Sequence, residues 1–255
     1  MVIIPARYGS TRFPGKPLAR VMGKSLIEHV YLRASSARTV DRVIVATDDR
    51  RIMDAVSDFG GDCVMTSGDH RSGSDRLGEA VQTLEADIVV NVQGDEPLLD
   101  PGAVDALIRV FEGSEAPDIA TIAVPLTSLE DFKNRHVVKV VTDSHQNAMY
   151  FSRSPIPHGW EPGLGEALRH IGIYAYRRQA LMDFTRLPSS RLEKAEDLEQ
   201  LRALENGMDI LVVRLKEHRG TGVDRPEDIA RVEDIMREQT GTTTDPASGR
   251  SGRGS

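Results

Sequence analysis

Short apolar runs alternate with longer segments whose apolar positions recur at helical spacing through the first 124 residues. The runs at 2–4, 42–46, 63–65, 88–92 and 119–124 read as strands. Between them, 25–36, 50–59, 74–84 and 102–112 read as helices, the stripe Leu26, Ile27, Val30 and Tyr31 being one example. The runs are rich in β-branched residues and lack polar alternation, the mark of parallel strands covered on both faces. Strand–helix–strand repetition with right-handed crossovers then gives an open, doubly wound α/β sheet. Ligands of such sheets bind beyond the carboxyl ends of the strands. The turns at 7–16 and 93–97 both sit at such ends, so the fold is expected to bring them together.

The pattern changes after Pro125. Segments 136–142, 148–151 and 171–176 read as strands with short connections, the first two pairing as a hairpin across 143–147. Residues 154–163 are a Pro/Gly-rich loop, for which a lid and a plain connector are both open readings. A helix is expected over 191–205, a strand over 210–215 and a closing helix over 226–238, with Asp224 near its start. Residues 240–255 carry Ala247 as their only apolar side chain among Gly, Ser and Thr, a composition expected to stay disordered.

Composition narrows the class. The 255 residues include 39% hydrophobic and 28% charged side chains, with a net charge of −7, which argues against general nucleic-acid binding. No apolar stretch approaches the ~20 residues needed to span a bilayer, and no basic leader precedes the first run. A single cysteine, Cys63, excludes an intrachain disulfide and reads as a packed thiol. The cytoplasm is the expected compartment.

Against this acidic background the amino terminus is reversed in sign: residues 1–24 hold five Lys or Arg and no Asp or Glu. Arg7, Arg12 and Lys16 follow directly on a buried strand, and Tyr8-Gly9-Ser10-Thr11 adds backbone donors. Cations and close-approaching amides point to a polyanion such as a triphosphate. Neither a Walker motif nor a dinucleotide fingerprint is present. In Val90-Asn91-Val92-Gln93-Gly94-Asp95-Glu96-Pro97 an apolar strand ends in two carboxylates, and Asp95 suits Mg²⁺ beside a bound triphosphate. Asp100 is the N-cap for the helix that follows. Asp224, before Pro226, reads by itself as an N-cap, and as a second metal carboxylate only if the fold returns it beside Asp95. Arg76 reads equally as a base-edge donor or a helix-surface arginine. Arg153, His170 and Tyr174 read equally as acid-sugar ligands or strand-surface groups. Seven histidines, none at His-x-x-x-His spacing, make a zinc site improbable.

In their order these segments resemble the 3-deoxy-manno-octulosonate cytidylyltransferases, the CMP-Kdo synthetases. The resemblance rests on Ile4-Pro5-Ala6-Arg7-Tyr8, Ser10-Thr11-Arg12-Phe13-Pro14-Gly15-Lys16-Pro17-Leu18, Val45-Ala46-Thr47-Asp48, His70 with Ser72-Gly73, and Val90 to Pro97. It continues through Val138-Lys139-Val140-Val141, Tyr150-Phe151-Ser152-Arg153, Arg169-His170, Gly172-Ile173-Tyr174, Leu198-Glu199-Gln200-Leu201-Arg202 and Gly220-Thr221-Gly222-Val223-Asp224. The family's Ser-Gly-Thr-Glu-Arg is Ser72-Gly73-Ser74-Asp75-Arg76 here.

The resemblance implies a mostly parallel, Rossmann-like three-layer sheet of nucleotidyltransferase type with a smaller, hairpin-containing lobe for sugar binding and dimerisation. It implies one cytidylyltransferase domain over 1–239, with a nucleotide part at about 1–125, a sugar and dimer part at about 126–215, and a closing strand and helix at about 210–238. CTP and the acid sugar Kdo would give CMP-Kdo and pyrophosphate for lipopolysaccharide assembly. Arg7, Ser10, Arg12 and Lys16 would hold the triphosphate, while Gly73, Arg76 and Gln93 would meet the base. Asp95 and Asp224 would hold Mg²⁺, and Arg153, His170, Tyr174, Glu199 and Gln200 would line the sugar site. Lys16, Arg12, Asp95 and Asp224 would carry the chemistry in a homodimer. The other readings are activation of an amino-substituted Kdo or a sialic acid, and a nucleotide-binding regulator without turnover.

Overall fold

The run Val2–Ala6 forms β1, buried along almost its whole length, as an unbroken apolar strand in a two-faced sheet requires. A short hairpin of β2 (Arg20–Val21) and β3 (Lys24–Ser25) follows. The chain continues through α1 (Leu26–Ser35), β4 (Val43–Thr47), α2 (Arg50–Asp58), β5 (Asp62–Met65), α3 (Gly73–Ala80), β6 (Ile88–Asn91), α4 (Pro101–Arg109) and β7 (Ile119–Pro125). Then come α5 (Leu129–Lys133), β8 (Lys139–Thr142), β9 (Ala148–Ser152), β10 (Leu168–Arg177), α6 (Arg178–Arg186), α7 (Arg191–Glu196), α8 (Leu201–Glu205), β11 (Ile210–Arg214) and α9 (Asp228–Gly241). This computed structural model describes residues 1–9, 12–70, 72–113, 116–163, 166–218 and 220–241. Ser10 and the expected tail beyond residue 241 lie outside the described residues.

The strands lie in the order β11-β7-β10-β6-β1-β4-β5. Neighbours are parallel except around β10, which runs antiparallel to both β6 and β7. The amino-terminal half of β10 also pairs with β8, and β8 pairs with β9, so β10 joins the expected hairpin to the main sheet. Side chains alternate between the two faces. Val2 and Ile4 join Val30 of α1, Ile52 of α2 and Leu107 of α4 in one core layer. Ile3 joins Leu77 of α3, Phe184 of α6 and Leu201 of α8 in the other.

Helix starts follow local chemistry. The side chains of Ser25, Asp49, Ser72, Asp100 and Ser128 each accept a hydrogen bond from a first-turn amide, and Ser72 with Asp75 completes a capping box. Three expectations change. The helix expected over 191–205 is two helices, because Asp197 closes α7 in a left-handed conformation (φ 53°) and leaves Glu199 and Gln200 in the connecting turn. The strand expected from residue 136 starts at Lys139, after a turn in which the Val137 amide donates to the Asn134 carbonyl. Asp224 is not an N-cap: α9 begins at Asp228, whose carboxylate accepts from the amides of Asp224 and Arg225 at 2.8 Å each. The loop at 154–163 is anchored by Trp160, which is 5% exposed and packs on Phe132 with ring centroids 4.8 Å apart. Cys63 is half-buried in β5, and burial pushes its thiol up to about 11.

Candidate active site

The chain leaves β1 into a loop closed by its own backbone. Gly15, at φ 71°, donates its amide to the Tyr8 carbonyl at 2.9 Å, a conformation that favours glycine. The Tyr8 ring packs against Gly15 and lies under the Arg51 guanidinium, 3.3 Å from the ring centroid. This closure turns Lys16 back toward the end of β6. There its ammonium donates to the Asp95 carboxylate at 2.6 Å. Asp224 arrives from the far end of the sequence because the Val223 amide donates to the Asp95 carbonyl at 2.8 Å. Its carboxylate lies 3.8 Å from Lys16 and 3.5 Å from Arg12.

These groups line one cavity of about 250 Å³. Arg7, Arg12, Lys16, Gly73, Arg76, Gln93, Asp95 and Asp224 all line it, with Pro5 and His70 among the other wall residues. Two glycines permit the close approach. A Cβ on Gly94 would stand 3.0 Å from the Pro5 carbonyl oxygen, and one on Gly73 would stand 3.2 Å from Pro5 Cγ. Arg76 is no helix-surface arginine. It is 3% exposed, pairs with Asp48 at 3.1 Å, and donates to Thr66 Oγ1 and the Ser67 carbonyl. Asp48 stands in the motif Val45-Ala46-Thr47-Asp48, but its pairing with Arg76 depends on α3 packing against β4, which local sequence does not reveal.

A second cavity, of about 550 Å³, adjoins the first, and Gln93 lines both. His170, Tyr174 and Gln200 line it, together with Glu96, Arg169 and His218. Arg153 and Glu199 are not on its wall. Arg153 donates instead to the carbonyls of Arg135, Glu196 and Asp197. Glu199 accepts from Ser74 Oγ at 2.8 Å and from Arg202 at 2.6 Å. His170 is packed between the rings of Phe151 and Tyr174, and burial holds its imidazole far down, at about 3. Thr121 Oγ1 gives its proton to the Ile173 carbonyl, so His170 Nε2–H donates to Thr121, a tautomer inferred from this network. Burial also raises the Tyr174 phenol, and lifts Glu96 to about 7 with help from Asp95. Neither His170 nor Tyr174 is a strand-surface group.

Three buried polar atoms on the wall of this cavity have no hydrogen-bond partner among the described residues: Glu96 Oε2, Gln200 Nε2 and His218 Nδ1. Buried polar groups are normally paired, so their convergence on one cavity marks a place for a polar ligand. Sequence reasoning left out His218. Its one signal, a histidine just before the Gly-Thr-Gly turn, gains meaning only where that turn closes against Asp95.

A loop bearing three cations lies beside paired carboxylates at the carboxyl ends of a doubly wound sheet, where ligands of such sheets bind, and the chain is a nucleotidyltransferase. Residues 1–210 match the family model described as cytidylyltransferase. The 3-deoxy-manno-octulosonate cytidylyltransferase of Syntrophotalea carbinolica is 48% identical over 244 residues, covering 92% of this chain and 97% of the relative. That of Syntrophobacter fumaroxidans is 50% identical over 240 residues, covering 92% and 95%. The solved structure of CMP:2-keto-3-deoxy-manno-octonic acid synthetase complexed with CTP superposes with a TM-score of 0.89 at 44% identity, covering 93% of this chain and 98% of that one. The inositol-1-phosphate CTP transferase from T. maritima, at 15% identity and a TM-score of 0.67, shares the fold. The chain belongs to the 3-deoxy-manno-octulosonate cytidylyltransferase family.

Proposed function

We propose that the protein transfers the cytidylyl group of CTP to 3-deoxy-D-manno-octulosonate, giving CMP-Kdo and pyrophosphate. One observation supports this most: a cation-and-carboxylate cavity for a nucleotide tail shares Gln93 with a second cavity whose buried polar atoms want partners. A polyhydroxylated acid fits the second cavity. In the first, Arg7, Arg12 and Lys16 bind and orient the triphosphate, and Gly73, Arg76 and Gln93 face the base.

The residues fit a magnesium ion. Asp95 and Asp224 are hard oxygen donors that already share one cation, the Lys16 ammonium. Among the described residues no cluster of three or more His, Cys, Asp or Glu is found, so the proposed ion would need phosphate and water oxygens beyond these two carboxylates. Bound there, magnesium neutralises phosphate charge and steadies the leaving pyrophosphate. The anomeric hydroxyl of the sugar attacks the α-phosphorus and gives up its proton to water, the bond to the bridging oxygen breaks, and pyrophosphate departs. No covalent enzyme intermediate is required. Lys16 and Arg12 stabilise charge on the departing phosphates, and the walls of the two cavities hold nucleophile and phosphorus in line.

The same proposal includes a cytoplasmic homodimer whose product feeds lipopolysaccharide assembly, which family membership supports. No helix among the described residues is long and apolar enough to cross a membrane. The deciding experiment is pyrophosphate release with CTP and Mg²⁺ against a panel of Kdo, 8-amino-Kdo and sialic acid, with product masses recorded. Kdo-dependent release of pyrophosphate with the mass of CMP-Kdo is the expected result. Release with another sugar alone, or CTP binding with no release, overturns the proposal. Sedimentation velocity tests the dimer.

A further inference from the structure

Two arginines belong to the acceptor region, and they are in opposite states. The guanidinium of Arg153 is spent on the main-chain carbonyls of Arg135, Glu196 and Asp197, with the Asp197 carboxylate 3.7 Å away. Arg169 lines the second cavity and makes one long hydrogen bond, 3.5 Å, to the His218 carbonyl. Among the described residues no carboxylate pairs with it. A half-buried guanidinium has five donors, so most of those of Arg169 remain to be used. Beside the same cavity the Gln200 side chain, 8% exposed, holds a second unused donor at Nε2. Arg169 and Gln200 thus set open donors around a fixed positive charge, and the part of a ligand that complements these two accepts hydrogen bonds and carries negative charge, while Glu96 Oε2 and His218 Nδ1 on the same wall remain for its hydroxyls. A carboxylate has that chemistry, and the planar fork of arginine matches it with two parallel bonds.

We propose that Arg169 anchors the carboxylate of the acceptor and thereby makes the enzyme selective for an acid over a neutral sugar. The assignment rests on the acceptor reading above. Arg169 contacts substrate in this role, and Gln200 supports it from the adjacent turn.

The test crosses the charge of the residue with the charge of the substrate. kcat/KM is measured for Kdo and for its C1 carboxamide with wild type, Arg169→Gln and Arg169→Lys. Losing a charge-assisted, bidentate contact is expected to lower kcat/KM for the acid on the order of 10–100-fold. The carboxamide should change by less than about 3-fold, since it carries no charge and offers the guanidinium one acceptor oxygen in place of two. KM for CTP should stay at its wild-type value in both variants, a split that general loss of structure would not give. Arg169→Lys should recover part of the preference for the acid, and its soluble expression keeps the test alive if Arg169→Gln fails to fold. Wild-type turnover of Kdo with the acid preference intact in the variants overturns the anchor alone. A wild type that makes no CMP-Kdo overturns the acceptor reading and the anchor with it.

Discussion

The ammonium of Lys16 lies 2.6 Å from the Asp95 carboxylate, although 79 residues separate them in sequence. The pair ties the loop that leaves β1 to the turn that leaves β6, the two strands being parallel neighbours in the sheet. Asp224 joins from the other end of the chain, so one cation faces two carboxylates. Under the function proposed above, an entering triphosphate would compete for Lys16 and would leave both carboxylates free for a divalent ion.

Asp95→Asn should therefore lower turnover by ~10²-fold or more, the scale of losing a principal electrostatic stabiliser. Pyrophosphate release at saturating CTP and Mg²⁺ measures it. A variant with near-normal release would remove Asp95 from the chemistry. Lys16→Ala should weaken CTP more than the acceptor, and equal weakening of both would count against its assignment to the triphosphate.

Gly94 sits between the shared wall residue Gln93 and Asp95. An added Cβ would press on the Pro5 carbonyl at 3.0 Å, a backbone atom that has no rotamer through which to yield. Gly94→Ala should cost about 1–3 kcal/mol of stability by overpacking. It should also lower kcat more than the same loss of stability does when introduced elsewhere. The control is Gly78→Ala, where a Cβ would meet the Thr185 hydroxyl at 2.8 Å between α3 and α6, away from the first cavity. Equal kcat in the two variants would show that the turn tolerates displacement.

Much of this was legible beforehand. Unbroken apolar strands announced the parallel sheet, and the cations following directly on β1 announced a cationic cavity wall at its carboxyl edge, because both signals are local. What escaped was set by contacts distant in sequence. Asp224 looks like a helix cap until α9 is seen to begin at Asp228. Arg76 looks like a surface residue until Asp48 and Thr66 enclose it. Arg153 and Arg169 look alike as strand-end arginines, and only the carbonyls around the first distinguish them. Helix α6 was missed because its sequence, Arg178-Gln179-Ala180-Leu181-Met182-Asp183-Phe184-Thr185-Arg186, follows β10 without a break or a side-chain cap.

The pair formed by Arg76 and Asp48 gives a stability prediction. Arg76 is enclosed, while the side chain of Asp48 keeps 24% of its exposure. Arg76→Leu should destabilise the fold by about 2–3 kcal/mol, below the range for a fully buried pair because water still reaches the carboxylate. Urea denaturation reads this as a lower midpoint at constant slope. Adding Asp48→Asn to that variant should restore part of the loss by removing the stranded charge. A double variant no better than the single would show that the lost packing of Arg76, not the charge, sets the cost.

The acid limb of stability should carry the signature of His170. Its imidazole is held at about 3 in the fold by burial, against an ordinary value of 6.5. Above 6.5 both the folded and the unfolded chain leave it neutral, and it exerts no pH effect. As the pH falls below 6.5 the unfolded chain takes up a proton that the fold refuses, so stability drops, and the drop continues until the folded value is reached. The full slope for one such group is about 1.4 kcal/mol per pH unit, and a loss on the order of 2 kcal/mol in total is expected between pH 6 and pH 4. Carboxylates titrate in the same range, so the quantity to measure is a difference: unfolding free energies of wild type and His170→Gln at matched pH. Glutamine keeps a donor for Thr121 and has no proton to gain. The variant should be less stable at pH 7, where the packing of the ring is lost, and the gap should close as the pH falls. Two limbs that run parallel from pH 7 to 4 would mean that the imidazole is protonated in the fold, and that the pocket between Phe151 and Tyr174 admits its charge.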